Sequence, residues 1–236
     1  ASKMGNVIAL MLIVELVVIV GMASVGSTSH FNVSTPFNIA IWSLMATAIS
    51  IVWLATFSLS TGLWNSQIMS ADLRLAVRWS IGLGLAGMGI AFTMTPPQPQ
   101  QVLPENWAGI AGAHTVGAAD GGPGLPFLGW STQAGDLRIS HFLGLHALQV
   151  LPLIAVVSSI LVTNYFVRRA IIMGAGVAYA LLIAFTYVQA LLGETIVQPS
   201  TLIFLGIILI VGMLSTGFSL FRSRKDETLK TRARVS

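Results

Sequence analysis

Apolar residues along this chain gather into runs of about twenty, the length an α-helix needs to cross the hydrocarbon of a bilayer. The first covers about residues 6–25 and is interrupted only by Glu15. It is too long for the core of a secretory signal, and Lys3 alone makes a poor basic leader, so it reads as a helix of the protein. A polar link over 26–36 leads into a second run, about 35–59, where Pro36 suits a first helical turn. A loop with Asp72, Arg74 and Arg78 precedes a third run, about 75–95. Within it Gly82, Ala86 and Gly89 share a stripe that permits close approach to a neighbour. A fourth run covers about 140–162, with Arg168 and Arg169 in the tight turn after it; a fifth covers about 170–192. A link over 194–200 leads to a sixth, about 201–221, and residues 222–236 form a charged, solvated tail. The pattern predicts an all-α fold: a polytopic transmembrane bundle of about six spanning helices, built as one domain over residues 1–221.

The third and fourth runs are joined by a long connection, residues 96–139, opened by Pro96, Pro97 and Pro99 and dense in glycine around Gly121, Gly122 and Gly124. Connections of this length in compact proteins are functional or disordered. Trp107, Leu125, Phe127, Leu128 and Trp130 give it apolar material to pack with, which predicts an ordered cap on the membrane surface. Basic residues set orientation, because Lys and Arg concentrate on cytoplasmic flanks. All of the 12 Lys and Arg except Arg138 fall on the side of the two termini. That bias predicts cytoplasmic termini, an extracytoplasmic long connection, and a place in the bacterial inner (cytoplasmic) membrane.

Composition agrees. The chain has 236 residues, 55% hydrophobic and only 8% charged, with a mean hydropathy of +0.83; a soluble domain carries about 25% charged residues. The pI near 10.0 does not imply nucleic acid, because the basic residues flank apolar segments instead of building a basic domain; the expected partner is lipid. With no cysteine, disulfides, thiolate metal sites, iron–sulfur clusters and cysteine nucleophiles are excluded.

Polar chemistry collects on the side of the long connection. His30, His114, His141 and His146 all fall there, with Glu105, Asp120, Asp136 and Glu194. Imidazole is the commonest metal ligand and the usual proton shuttle near neutral pH, and a carboxylate beside it can set its tautomer. On a helix His141 and His146 lie about 140° apart around the axis and about 7.5 Å apart along it. They can therefore face two different neighbours but cannot chelate one ion, and Gln149 projects between them. His141 at headgroup depth, or His30 and His114 as ties between loops, are the plainer alternatives. Glu15 within a span costs at least about 2.5 kcal/mol if charged; it serves as a proton relay or as a neutral interhelical hydrogen-bonding group. The stretch from Asp120 to Gly124 lacks the lysine and the strand–loop–helix setting of a phosphate loop and reads as a tight turn. Ser140 beside His141 is adjacency without a third triad member.

Several of these stretches occur in a recognisable order: Ser29-His30-Phe31-Asn32 with Thr35-Pro36-Phe37, Gly112-Ala113-His114, Asp120 through Pro126, Gly129-Trp130-Ser131, Gly135-Asp136-Leu137-Arg138, His141-Phe142, and Gly144 through Gln149. Together they resemble a bacterial family of polytopic membrane proteins to which no activity is attached. The resemblance covers about residues 10–160 and implies a membrane fold but no reaction. Members of that family carry further hydrophobic segments ahead of the first helix seen here, which implies that this chain is a shorter form or a fragment.

Three functions suit these residues. The first is a haem-type tetrapyrrole or another metal centre beneath the cap, for electron transfer or oxidoreduction. His141 and His146 would ligate from the helix, with His30 or His114 completing the set. Asp120, Asp136, Arg138 and Gln149 would support them, Arg138 pairing with a propionate or an anionic substrate. The second is cofactor-free transport or proton translocation along Glu15, Gln149, Gln189 and His146. The third is an accessory subunit that docks a membrane-protein partner on the small-residue stripe. All three rest on sidedness, which labelling can check. In this cysteine-free chain, single cysteines placed beside His114 and beside Arg222 should react with an impermeant maleimide from opposite faces of the membrane; labelling from one face would overturn the topology.

Overall fold

The computed structural model describes residues 2–64, 67–103, 105 and 107–235. Six helices account for most of it: α1 (Ser2–Ser24), α2 (Pro36–Trp64), α3 (Ala71–Phe92), α4 (Leu137–Leu161), α5 (Tyr165–Leu191) and α6 (Pro199–Val235). Each is long and apolar enough to cross a membrane. A two-residue antiparallel pair, β1 (Thr115–Val116) with β2 (Gly135–Asp136), closes the long connection just before α4.

Several helices begin earlier than the hydrophobic pattern predicts, and for α3 and α5 local capping is the reason. Ser70 accepts the backbone N–H of Leu73, so α3 opens at Ala71 and Asp72 and Arg74 lie in its first turns instead of a loop. Asn164 accepts from Phe166 and Val167, which places Arg168 and Arg169 inside α5 instead of the turn before it. At the far end the charged stretch continues α6 as helix to Val235. Ser236 of the expected tail, and Pro104 and Asn106 of the long connection, lie outside the described residues.

The bundle is centred on α3, α4 and α5, with α6 against α5 and α1 against α2. Matching contacts give the directions. Gly87 of α3 meets Gly144 of α4, and Ala76 packs with Ala155 and Ile172, so α3 and α4 run antiparallel. Asp72 at the start of α3 binds Arg168 at the start of α5 (2.7 Å), so those two run parallel. Trp79 lies where a Cβ on Gly176 would stand, and Gly174 is packed against Thr216 of α6.

Small residues bring α3 and α4 into close contact, but not the stripe that the sequence singled out. A Cβ on Gly87 would stand 2.5 Å from Gly144 Cα, whereas Gly82 and Gly89 meet nothing within 4 Å. Gly82 and Ala86 are exposed, one face round from the α4 contact. With lipid as the alternative neighbour, helices associate through such close backbone packing rather than through hydrophobicity.

The long connection is stitched to the helix ends by main-chain bonds. Residues 109–113 run beside the first link: Val33 donates to Gly109 and Ala111 to Phe31, and Ala113 donates to Met94 at the end of α3. Leu137 at the start of α4 donates to His114 (3.0 Å). Phe31, Met94, Leu137 and Ala190 form a buried cluster beneath these contacts.

The glycine contact yields a discriminating test. Gly87→Ala should lower the unfolding free energy by about 1–3 kcal/mol through overpacking. Gly82→Ala, in open space, should leave it unchanged or raise it by up to about 1 kcal/mol. Reversible unfolding in micelles measures both, and equal effects would show that the Gly87–Gly144 contact is not what holds α3 to α4.

Candidate functional site

A cavity of about 440 Å³ lies among α1, α2, α3 and α4. Its walls are mostly apolar, with Trp42, Met45, Met88 and Leu145 among them. Glu15 of α1 also lines it, as do His30, His114, Arg138 and His141. A second cavity, of about 870 Å³, shares His30, Phe31 and His114 with the first and adds Asp120, Gln98 and Gln101. His30 and His114 therefore border both spaces.

Each imidazole here is held by the same atom. His141 Nδ1 is 2.7 Å from the Gly87 carbonyl across the α3–α4 contact. A carbonyl only accepts, so Nδ1 of the neutral ring carries the proton and Nε2 keeps its lone pair. His114 Nδ1 sits 3.0 Å from Asp120 Oδ2, the carboxylate–imidazole pairing that orients ligating histidines in metalloproteins. His30 Nδ1 is 3.1 Å from Ser29 Oγ. None of the Nε2 atoms of these three rings has a protein hydrogen-bond partner among the described residues.

Asp120 does more than orient one ring. Its oxygens also accept the backbone N–H groups of His114 (2.9 Å) and Thr115 (2.8 Å). Burial works against ionisation of this carboxyl, but the hydrogen bonds from His114 and Thr115 outweigh it and hold the group well below the usual carboxylate range. His30 is displaced in the other sense from its ordinary value. Burial, and then repulsion from His114 when that ring is protonated, push it down.

Aromatic rings surround the histidines. Phe31 is buried and packs against His30 (6.1 Å between ring centroids), Trp42 (5.2 Å) and His114 (4.9 Å). It holds φ 61° without being glycine. A left-handed phenylalanine is a strained backbone, and such strain clusters at functional sites. Neither Phe31 nor Trp42 was expected as a site residue; Phe31 within the Ser29–Asn32 motif was the one available signal.

The remaining candidates take other places. His146 is exposed, its Nδ1 bonded to the Phe142 carbonyl (2.8 Å) and its ring stacked on Phe142 at 3.9 Å, and it lines neither cavity. Gln149 is exposed as well, its side-chain amide folded back against the Leu145 and His146 carbonyls of its own helix. Asp136 is buried and caps α4: it accepts from the backbone of Arg138 and Ser131 and pairs with the Arg138 guanidinium at 2.7 Å. Arg138 also donates to the Gly129 carbonyl, so this pair organises the 129–138 turn while Arg138 borders the cavity. Gln189 bonds the Thr195 carbonyl and the Thr201 hydroxyl and ties α5 to α6.

Among the described residues no group of three or more His, Asp or Glu side chains is placed to hold a metal ion. The four imidazoles expected as ligands are thus not gathered into one set. Comparison with protein-family models, with curated proteins and with solved structures finds no match to this chain. The site offers imidazole rings held in position through Nδ1 beside an apolar volume.

Asp120 supplies a testable consequence. Because its folded value is depressed, its stabilising contribution is present above the ordinary carboxylate range and is lost as pH falls through that range toward its own lower value. Asp120→Ala should remove about 1–2 kcal/mol of local stability, allowing for partial exposure. Protease cleavage within residues 114–136 should rise in the variant at neutral pH, and rise in the wild type only on acidification. An unchanged cleavage rate in Asp120→Ala would show that the carboxylate does not clamp this segment.

Proposed function

We propose that this chain binds a haem-type tetrapyrrole at the histidine end of the cavity among α1–α4 and serves in electron transfer or oxidoreduction. The observation that carries the reading is the convergence of His30, His114 and His141 on one apolar cavity, each with Nδ1 bonded and Nε2 without a protein partner. A volume of about 440 Å³ falls within the range of cofactor and ligand pockets, about 300–1,000 Å³. A bare ion needs three or four protein ligands, and the described residues supply no such group. A tetrapyrrole brings four nitrogens of its own and needs only one or two axial imidazoles.

In this reading His141 and His114 would hold the group through their Nε2 atoms. The Gly87 carbonyl and Asp120 raise their basicity and fix their planes. Phe31, Trp42 and Met45 would exclude water, and Arg138 would pair with a carboxylate of the bound group. The bound group supplies reversible one-electron chemistry. The lysine and arginine bias supports a site toward the outer face of the bacterial inner membrane, with the long connection as its cap and both termini in the cytoplasm.

Proton translocation is a second reading, favoured by one observation: Glu15, within a span, lines the same cavity as His30, His114 and His141. It needs no cofactor. Proton flux into liposomes that disappears in Glu15→Gln would support it.

Absorption spectroscopy of the purified full chain, before and after dithionite, tests the first reading. We expect an intense Soret band that shifts on reduction, is diminished at least severalfold by His141→Ala or His114→Ala, and is unchanged in His146→Ala. A colourless protein that also shows no spectral change on titration with haemin would overturn the assignment.

A further inference from the structure

At the opposite end of the bundle three guanidinium groups line one small pocket. Its volume is about 310 Å³, and Gln67, Ala71, Arg74, Leu75, Arg78 and Arg169 form its wall. Arg74 and Arg78 lie one helical turn apart on α3, and Arg169 comes from the first turns of α5. We propose that this pocket binds a phosphate group carried by a phosphate ester, either the headgroup of an anionic lipid or a soluble phosphate.

Charge is the first feature of this pocket. Among the described residues the wall holds three permanent cations and one amide. Asp72 is the nearest acid in sequence, and it bonds Arg168 at 2.7 Å instead of lining the pocket. Geometry adds to it. Arg78 donates through Nε to the Trp64 carbonyl (2.8 Å) and lies over the Trp64 ring. Arg169 donates to the Tyr165 hydroxyl (3.0 Å) and lies over the Tyr165 ring. Arg74 is 3.4 Å from the Gln67 amide oxygen. Guanidinium planes fixed in this way are pre-organised, and their paired N–H groups match phosphate oxygens better than a flexible ammonium does.

Depth points to lipid as a source. Trp64 and Tyr165 are partly exposed at this end, and Trp and Tyr concentrate where hydrocarbon meets headgroups. Basic pockets between spanning helices bind anionic headgroups. The proposal holds whichever leaflet this end faces, and it does not depend on the reading of the histidine cavity.

The test uses the full chain in nanodiscs of phosphatidylcholine. In one arm fluorescent phosphatidylglycerol is added to the bilayer; in the other, glycerol phosphate is added to the buffer. Saturable binding that weakens about tenfold in each of Arg74→Gln, Arg78→Gln and Arg169→Gln, with partial recovery in the Lys variants, supports the phosphate site. The arm that shows it identifies the source. Circular dichroism confirms that each variant is folded. Binding in neither arm overturns the proposal, as does binding that Arg222→Gln weakens as much as the three pocket variants do.

Discussion

The close approach of α3 to α4 at Gly87 and Gly144 underlies the placement of the histidine site. No side chain separates the two backbones there, and one turn before Gly144 the His141 ring reaches the Gly87 carbonyl. A larger residue at either glycine would push the helices apart and lengthen that hydrogen bond. It would also disturb the start of α4, where Asp136 caps the helix and where Leu137 bonds the His114 carbonyl. One packing contact therefore fixes the plane of His141 and the end of the segment that delivers His114.

The chemistry that results is one of orientation. An imidazole on a flexible side chain is a poor ligand or relay until its ring plane and tautomer are set. Here a helix carbonyl, a carboxylate and a hydroxyl each take the Nδ1 edge. Rings set in this way line a mostly apolar space, and low local polarity strengthens whatever coordination or hydrogen bond forms there. The strained backbone of Phe31 belongs to the same construction, because its ring fills the gap between His30, His114 and Trp42.

The two ends of the bundle differ in charge as well as in shape. The histidine end holds carboxylates engaged with His114 and Arg138, and the other end holds the Asp72–Arg168 pair and the arginine pocket. Short links between antiparallel helices enforce the separation, since residues at opposite helix ends cannot mix. A polar group deep in an apolar bundle is tolerated where it lines a cavity, which is where Glu15 lies.

Hydropathy alone determined the class of this protein and the number of its long apolar helices, because burying a backbone in hydrocarbon requires about twenty apolar residues whatever they pack against. Helical periodicity likewise separated His141 from His146, since the angle between them depends only on the helix. Tertiary structure decided which of the two matters to the cavity. His141 faces α3 and His146 faces outward, and periodicity measures angles within a helix without saying where its neighbours stand. The same limit explains the glycine stripe: Gly82 and Gly89 are spaced as well as Gly84 and Gly87, but only the latter meet α4. Phe31 and Trp42 join the histidines through contacts between a link, a helix and a distant loop, and such contacts have no local signature in a chain.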